Sequence, residues 1–139
     1  MITVCTARIT YGGAGKLDIT RWGADRDPTS AAPLFAPSEA LFKLGKSKAI
    51  DFDEYARRYR SQLDKTYSDP LFRAVIEMIL GGSEQRVVGV CYCVDPARCH
   101  RTIWRAFVVE KGAIDGGELP ENEQRRVKVV KPSNQGSLF

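Results

Sequence analysis

The sequence predicts an α/β fold, a single three-layer domain with a mostly parallel sheet. Helix-like and strand-like segments alternate in the second half of the chain, an order typical of parallel strands joined by helices. The run RVVGVCYCV has the apolar, β-branched composition of a strand buried on both faces. With 139 residues, 43% of them hydrophobic and 27% charged, the chain can bury one core but not a second full domain.

The chain begins with two short strand candidates. Residues 2–9 are rich in β-branched side chains, residues 16–20 form the second candidate, and the glycines of YGGAG indicate a turn between them. The stretch 23–37 is rich in Pro, Ala and polar residues without periodicity. It predicts a long loop, and such loops in compact domains are often functional.

Three helices are expected next. Ser38, Asp51 and Asp69 each stand where a helix N-cap is needed, and Pro70 occupies the first position of the third helix. The third helix has an apolar stripe of Leu71, Val75, Ile76, Ile79 and Leu80.

The second half of the chain contains the buried strand, a helix and a further strand. Asp95-Pro96 is a helix-start pair, so we expect one continuous helix from Pro96 to Gly112. AIDGG is the candidate for the last strand. The basic run at 125–131 alternates with valines, which fits a half-buried strand as well as a dedicated basic patch.

The strand-to-helix junction CYCVDPARCHR holds three of the four cysteines and the only histidine. Here Cys99, His100 and Arg101 follow the end of a central strand, where open α/β sheets bind ligands. A helix start also attracts anions and lowers the pKa of a nearby thiol, so a reactive thiolate at Cys99 is a reasonable expectation. Alternatively, Cys99 shares a helical stripe with Ile103 and Phe107 and points into the core.

Three arginines accompany the junction. Arg98, Arg101 and Arg105 are three and four residues apart, which gathers them on one face of the expected helix. Their mutual repulsion favours an anionic ligand or acidic neighbours, although a plain solvated face fits the spacing as well.

The spacing of the junction excludes two chemistries and disfavours a third. Six residues after Cys91 and Cys93 stand Ala97 and Cys99 instead of the arginine that a tyrosine phosphatase requires, and the histidine and paired-cysteine motif of zinc deaminases is missing. Cys91, Cys93, Cys99 and His100 are suitable zinc ligands. However, adjacent Cys99 and His100 would diverge by about a hundred degrees on a helix, so we expect no metal and no other cofactor.

The whole chain is expected to be cytoplasmic. Its start lacks the features of a signal peptide, and no segment is long and apolar enough to span a membrane. In that compartment cysteines are expected to be thiols, metal ligands or small buried apolar residues rather than disulfides. The net charge of +4 and the pI near 9.0 indicate mild attraction to anions such as nucleotides or DNA.

VCYCVDPARCHR resembles the signature of the DUF488 superfamily of bacterial and phage α/β proteins. That signature is a buried strand ending in cysteine, an acidic-proline turn, and Cys-His-Arg at a helix start. LDITRWG and KGAIDGGEL are similar to flanking segments of the family, and the segment from Phe35 to Tyr59 is similar to its phage-type branch, so the likeness extends to about Leu119. Cys93 stands where many members have a glutamate.

The resemblance implies a site more clearly than a reaction. It adds Arg21 to Cys99, His100 and Arg101 as catalytic candidates, with Arg21, Arg98 and Arg101 as anion-binding residues. The secondary candidates are Cys91, Cys93, Thr20, Ser38 and Tyr55. The family is uncharacterised, with suggestions of nucleotide or nucleic-acid processing.

The last five residues, QGSLF, resemble the bacterial sliding-clamp-binding pentapeptide. The resemblance implies that Leu138 and Phe139 fill an apolar pocket while Gln135 and Ser137 match the pattern's polar positions. Gly136 replaces the leucine often found there. We therefore divide the chain into a domain at 1–131 and a flexible tail at 132–139, with a frayed terminus as the alternative.

Three functions remain open. The first is an enzyme that processes a nucleotide or DNA and is recruited to replication or repair by a sliding clamp. The second is a non-catalytic clamp-binding adaptor or inhibitor in which Cys-His-Arg is a structural junction. The third is a thiol redox or sulfur-transfer protein. His100 fits the first best, because its pKa range suits proton transfer near neutral pH.

Overall fold

The sheet has four strands, β1 (Thr3–Arg8), β2 (Lys16–Asp18), β3 (Arg86–Cys91) and β4 (Ile114–Glu118). All are parallel, and their order across the sheet is β2-β3-β1-β4. The computed structural model describes residues 1–20, 34–82 and 86–124. The predicted α/β class and parallel sheet are confirmed. Because every strand runs the same way, the carboxyl ends of all four meet at one edge.

Four helices accompany the sheet: α1 (Glu39–Lys46), α2 (Phe52–Thr66), α3 (Pro70–Leu80) and α4 (His100–Glu110). The predicted caps of the first three are confirmed. Ser38 accepts the backbone N–H of Leu41, and Asp51 accepts that of Glu54. Asp69 accepts the N–H of Leu71. Each cap satisfies a backbone donor that has no partner within its helix.

The main apolar core lies on one face of the sheet, and all four helices contribute to it. Its largest fully buried members include Trp104 of α4, Tyr59 of α2 and Phe72 of α3. A second cluster occupies the opposite face. It consists of alternate residues of β1 and β3 with Ile9, Tyr11, Tyr92 and Leu119 from the adjoining segments.

The predicted stripe of α3 is wrong at Leu71, whose exposed fraction is 71%. The buried positions of this helix are Phe72 and Ile76. Those two residues are four apart and share a face, and Leu71 lies about 100 degrees away from Phe72 around the helix axis.

The position of α4 against the sheet depends on Gly89 in β3. The Trp104 ring fills the space above this glycine, so that an added Cβ would lie 2.5 Å from the ring. A side chain at position 89 would therefore move α4, whose first residues belong to the Cys-His-Arg junction.

Several expectations concern residues outside the described ones. They are most of the 23–37 loop, the strand at 125–131, the tail from 132 and the division between domain and tail. Residues 34–37 are described, and they form neither helix nor strand, as expected for the loop. Among the described helices, none has the length and apolarity required to cross a membrane.

Candidate functional site

The junction after β3 is not one continuous helix, which corrects the sequence-based expectation. Asp95 caps a single 3-10 turn, Pro96–Arg98, by accepting the N–H of Ala97 at 3.0 Å. Cys99 then has extended backbone, with φ −138° and ψ 143°, and α4 begins only at His100. Cys99 is therefore the N-cap residue of α4, and its side chain makes no capping hydrogen bond.

The extended conformation of Cys99 brings three thiols together. The Sγ atoms of Cys91, Cys93 and Cys99 all lie within 4.8 Å of one another, and all three side chains are buried. None is in a disulfide. One sulfur comes from the end of β3, one from the following loop and one from the N-cap of α4, so the cluster joins three parts of the junction.

Burial controls the acidity of these thiols. It raises the pKa of Cys91, and contact with Cys93 raises it further. The pKa of Cys99 is well above its ordinary value, again first through burial and then through the neighbouring thiols. This is opposite to the lowering expected at a helix start. Loss of solvation around a buried charge outweighs the helix dipole here.

His100 connects the thiols to the end of β2. Its Nε2 lies 2.9 Å from the carbonyl oxygen of Ile19, and its Nδ1 lies 3.6 Å from Sγ of Cys91. Because a carbonyl oxygen can only accept, Nε2 carries a proton and donates it. In the neutral imidazole, Nδ1 then presents its lone pair to Cys91.

Burial and the polar contacts of His100 shift its pKa in opposite directions. Burial disfavours the imidazolium ion, but the contacts with Cys99 and the Ile19 carbonyl favour it, and the pKa of His100 is raised overall. The Tyr59 ring packs edge-on against the imidazole, with ring centroids 5.4 Å apart. The orientation of the imidazole is therefore held by a hydrogen bond on one side and an aromatic ring on another.

Helix α2 supplies two tyrosines to the same region. The Tyr59 hydroxyl donates to the carbonyl oxygen of Phe35 at 2.6 Å. Burial raises the pKa of Tyr55 well above its usual value, and negative charge on Cys91, Cys99 or Cys93 would raise it further. Tyr55, a secondary candidate from the sequence, thus lies within electrostatic range of the thiols.

Arg101 is bound inside the protein. Its side chain is 0% exposed and makes two parallel bonds to Glu118 at the end of β4, of 3.0 and 2.9 Å. Its third bond, of 2.6 Å, is donated to the carbonyl oxygen of Cys93. Burial lowers the pKa of Arg101, but the bond to Glu118 raises it overall, so the side chain stays charged. Glu118 is an acidic neighbour, which is one of the explanations that the sequence offered for the arginines.

The three arginines do not share one helical face. Arg98 belongs to the 3-10 turn before α4 and is exposed. Arg105 donates to the Thr6 hydroxyl at 2.7 Å and pairs with Asp115 at 3.1 Å. Because Cys99 interrupts the helix, the spacing of three and four residues does not apply to Arg98.

A groove of about 600 Å³ lies beside this turn. Its lining combines the cations Lys48 and Arg98 with the aromatic ring of Phe52, and also includes Asp51 and Asp53. The groove touches the two residues that precede Cys99, whereas Cys99 itself is 1% exposed and faces the interior.

The remaining candidates are dispersed. Thr20 is buried, and its N–H and hydroxyl donate to Asp18 at 2.9 and 2.7 Å, next to the carbonyl that binds His100. Ser38 serves as the cap of α1 and lines a different groove, of about 680 Å³. Arg21 and the tail residues Gln135, Ser137, Leu138 and Phe139 lie outside the described residues.

The sequence reasoning missed Asp18, Tyr59 and Glu118. Asp18 is fully buried at the end of β2, and a carboxylate placed between Leu17 and Ile19 was the signal. Glu118 is the last residue of β4 and lies at the same edge of the sheet as the junction. No local pattern links it to Arg101, which is 17 positions away in the chain.

A known protein family matches most of the chain. A family model described as DUF488-N3a, the active DUF488-N3 subclade, matches residues 6–112. No curated protein and no solved structure matches the chain. The matched span covers most of the domain from β1 through α4, including the thiol cluster and Arg101, and it ends before β4 and Glu118.

Proposed function

The chain belongs to the DUF488 superfamily, and we propose that it is a nucleotide- or DNA-processing enzyme whose reaction centre is the Cys-His junction. The observation that carries the proposal is the position of Cys99 and His100 where β3 ends and α4 begins, beside the end of β2. Open α/β sheets bind ligands beyond the carboxyl ends of their strands. The subclade whose model matches is described as active, which supports a catalytic role.

The groove beside the 3-10 turn is the proposed binding site for the substrate. Arg98 and Lys48 supply positive charge for a phosphate group, and Phe52 offers an aromatic face for a base. Arg101 is committed to Glu118. We therefore assign phosphate binding to Arg98 rather than Arg101, with Arg21 as a further candidate from the family resemblance.

A thermal-shift screen with nucleotides and short single-stranded DNA tests the binding step. A ligand at about 100 times its Kd stabilises the native state by about 2.7 kcal/mol, which raises the Tm by several degrees. Loss of one charge-assisted bond costs about 1.5–3 kcal/mol, so Arg98→Ala should remove most of the shift. Arg73→Ala, at an exposed arginine of α3 outside the groove, is the matched control. An equal effect of the two variants would contradict the assignment.

We further propose that the QGSLF tail recruits the enzyme to a bacterial sliding clamp, which places its action in the cytoplasm. The support is the sequence alone. An extended peptide of this kind gains affinity from two apolar anchors, here Leu138 and Phe139, and has few polar groups to desolvate.

Calorimetry of the full chain with a purified bacterial clamp tests the recruitment. Loss of a well-buried aromatic anchor costs at least about 2 kcal/mol, so Phe139→Ala should weaken binding by about 30-fold or more. Gly136→Leu restores the residue common in the pattern and should strengthen it. Unchanged affinity in both variants and after deletion of residues 135–139 would refute the proposal.

One observation favours the non-catalytic adaptor as a second candidate. The thiols and Arg101 are buried, and Arg101 has protein partners for its guanidinium group. A structural junction would have these properties. If no nucleotide, single-stranded DNA or duplex DNA is altered by the full chain while clamp binding persists, the adaptor function stands and the enzyme function falls.

A further inference from the structure

We infer that Cys91, Cys93, Cys99 and His100 together form a binding site for a soft divalent metal ion, Zn²⁺ in particular. Four protein ligands leave no open position on the ion, as in structural zinc sites, so the ion would hold the junction in place. The inference therefore goes beyond the proposed function and does not rest on it.

The donor set is that of a zinc site. Three thiols and one imidazole are ligands that select Zn²⁺ over Mg²⁺ or Ca²⁺, which prefer oxygen. Cys5, the fourth cysteine, is buried in the cluster on the opposite face of the sheet and takes no part. Cys5 is therefore a buried thiol outside the cluster, with which the three clustered thiols can be compared.

The distances agree with tetrahedral coordination. With Zn–S near 2.3 Å and Zn–N near 2.0–2.1 Å, tetrahedral geometry places ligand sulfurs about 3.8 Å apart and a sulfur and a nitrogen about 3.5 Å apart. The Sγ atoms here lie within 4.8 Å of one another, and Nδ1 of His100 lies 3.6 Å from Sγ of Cys91. The separations between the sulfurs therefore exceed the tetrahedral value by no more than about 1 Å, and the distance from Nδ1 to Sγ of Cys91 already matches it.

The imidazole of His100 already has the orientation of a metal ligand. Histidine ligands usually donate their second ring N–H to a carbonyl or carboxylate, which fixes the tautomer. Nε2 of His100 donates to the carbonyl oxygen of Ile19, so the lone pair of Nδ1 faces Sγ of Cys91. Any buried histidine needs a partner for its ring N–H, and the feature that points to a metal ligand is the position of the other ring nitrogen beside Sγ of Cys91.

The conformation of Cys99 removes the objection raised by the sequence. Adjacent residues diverge on a helix, but Cys99 has extended backbone and only His100 is helical. Both side chains consequently reach the same cluster. Cys99 also makes no capping hydrogen bond at a position where Ser, Thr, Asp or Asn would normally make one.

Metal binding would change the charge of the cluster. The thiolate, not the thiol, is the metal ligand. Coordination to Zn²⁺ deprotonates a thiol outright. Each of the three cysteines would release one proton as its S–Zn bond forms, which makes the binding dependent on pH.

The first test adds Co²⁺ to the reduced, metal-free full chain. Co²⁺ replaces Zn²⁺ in tetrahedral sites and gives visible d–d bands together with a sulfur-to-cobalt charge-transfer band whose intensity counts thiolates. We expect a spectrum of three thiolates at one equivalent of metal, bleached by added Zn²⁺, and about three protons released. Absence of the charge-transfer band, or an intensity of one thiolate, would overturn the inference.

Matched variants locate the site. Cys99→Ser and His100→Ala should lower Zn²⁺ affinity by more than the roughly 10- to 100-fold lost when only a hydrogen bond to a ligand is removed. Cys5→Ser should bind as the unaltered chain does. If Cys5→Ser loses metal equally, the cluster is not the site. If the cluster variants fail to fold, the cobalt spectrum of the unaltered chain decides alone.

The test also separates this inference from the proposed function. Arg98→Ala leaves every ligand in place, so it should retain metal while losing the ligand-induced thermal shift. Nucleotide binding without metal uptake would overturn the metal site only. Metal uptake without binding or turnover of any nucleotide or DNA would overturn the proposed function only.

Discussion

The pairing of Arg101 with Glu118 gives the sharpest test of the site's structure. Glu118→Ala would leave a fully buried guanidinium with only the Cys93 carbonyl as partner. Removing one member of a buried ion pair typically costs 3–5 kcal/mol. The Glu118 side chain is 22% exposed, so water can replace part of the carboxylate. We therefore expect a loss of about 3 kcal/mol, at the lower end of that range.

The chain offers a matched control in the pair of Arg8 and Glu121. It is also an arginine–glutamate bond, but the Glu121 side chain is 65% exposed. Exposed pairs contribute about 0–1 kcal/mol. Glu121→Ala should accordingly change the free energy of unfolding by no more than about 1 kcal/mol, although it removes the same functional group.

Urea denaturation measures both effects as a change in midpoint at constant slope. Replacing both members of the buried pair, with Arg101→Met and Glu118→Leu, should recover much of the loss, since an apolar pair leaves no charge unpaired. A cost for Glu118→Ala no greater than that for Glu121→Ala would refute the reasoning. It would mean that Arg101 reaches solvent or another anion, and Arg101 would return as a candidate for substrate binding.

Three further predictions concern the core around the junction. Gly89→Ala should destabilise the protein by about 1–3 kcal/mol, measured by thermal denaturation, because its Cβ would overlap the Trp104 ring. Tyr59→Phe should cost about 1–3 kcal/mol in urea, because it leaves the buried carbonyl of Phe35 without its donor; a cost near zero would show that water replaces the hydroxyl. In the metal-free protein the raised pKa of Cys99 makes the folded state hold its proton more tightly than the unfolded chain does. The free energy of unfolding should therefore fall as pH rises above about 8.5, the ordinary thiol pKa, and Cys99→Ser should flatten that fall.

The local elements could be predicted because each carries its own signal. Ser38, Asp51 and Asp69 are side chains that bond to the first free N–H groups of a helix, and all three do so. The strand β3 is apolar on both faces, as its central place in the sheet requires. These features depend on residues a few positions apart, which a sequence displays directly.

The junction could not be predicted in the same way, because its conformation depends on contacts between separate elements. Asp95-Pro96 is an equally good start for an α-helix and for a 3-10 turn, and the turn forms, with Thr102 donating to the Pro96 carbonyl at 2.6 Å. Cys99 can then extend toward Cys91. Helix periodicity alone gave the wrong relation between Cys99 and His100.

The different roles of Arg98 and Arg101 follow from the extended conformation of Cys99, which separates the 3-10 turn from α4. Arg101 lies in the first turn of α4 and pairs with Glu118 on the edge strand β4, so its charge stabilises the fold. Arg98 lies in the 3-10 turn before Cys99, is exposed and lines the groove, so its charge is available to bind a ligand. Substitutions should therefore separate the roles of the two arginines. Arg101→Met should lower the free energy of unfolding. Arg98→Ala should lower ligand affinity at nearly unchanged stability, since surface substitutions usually alter the free energy of unfolding by no more than about 0.5 kcal/mol. An Arg98→Ala variant as unstable as Arg101→Met would show that the 3-10 turn is part of the structural junction rather than the wall of a binding site.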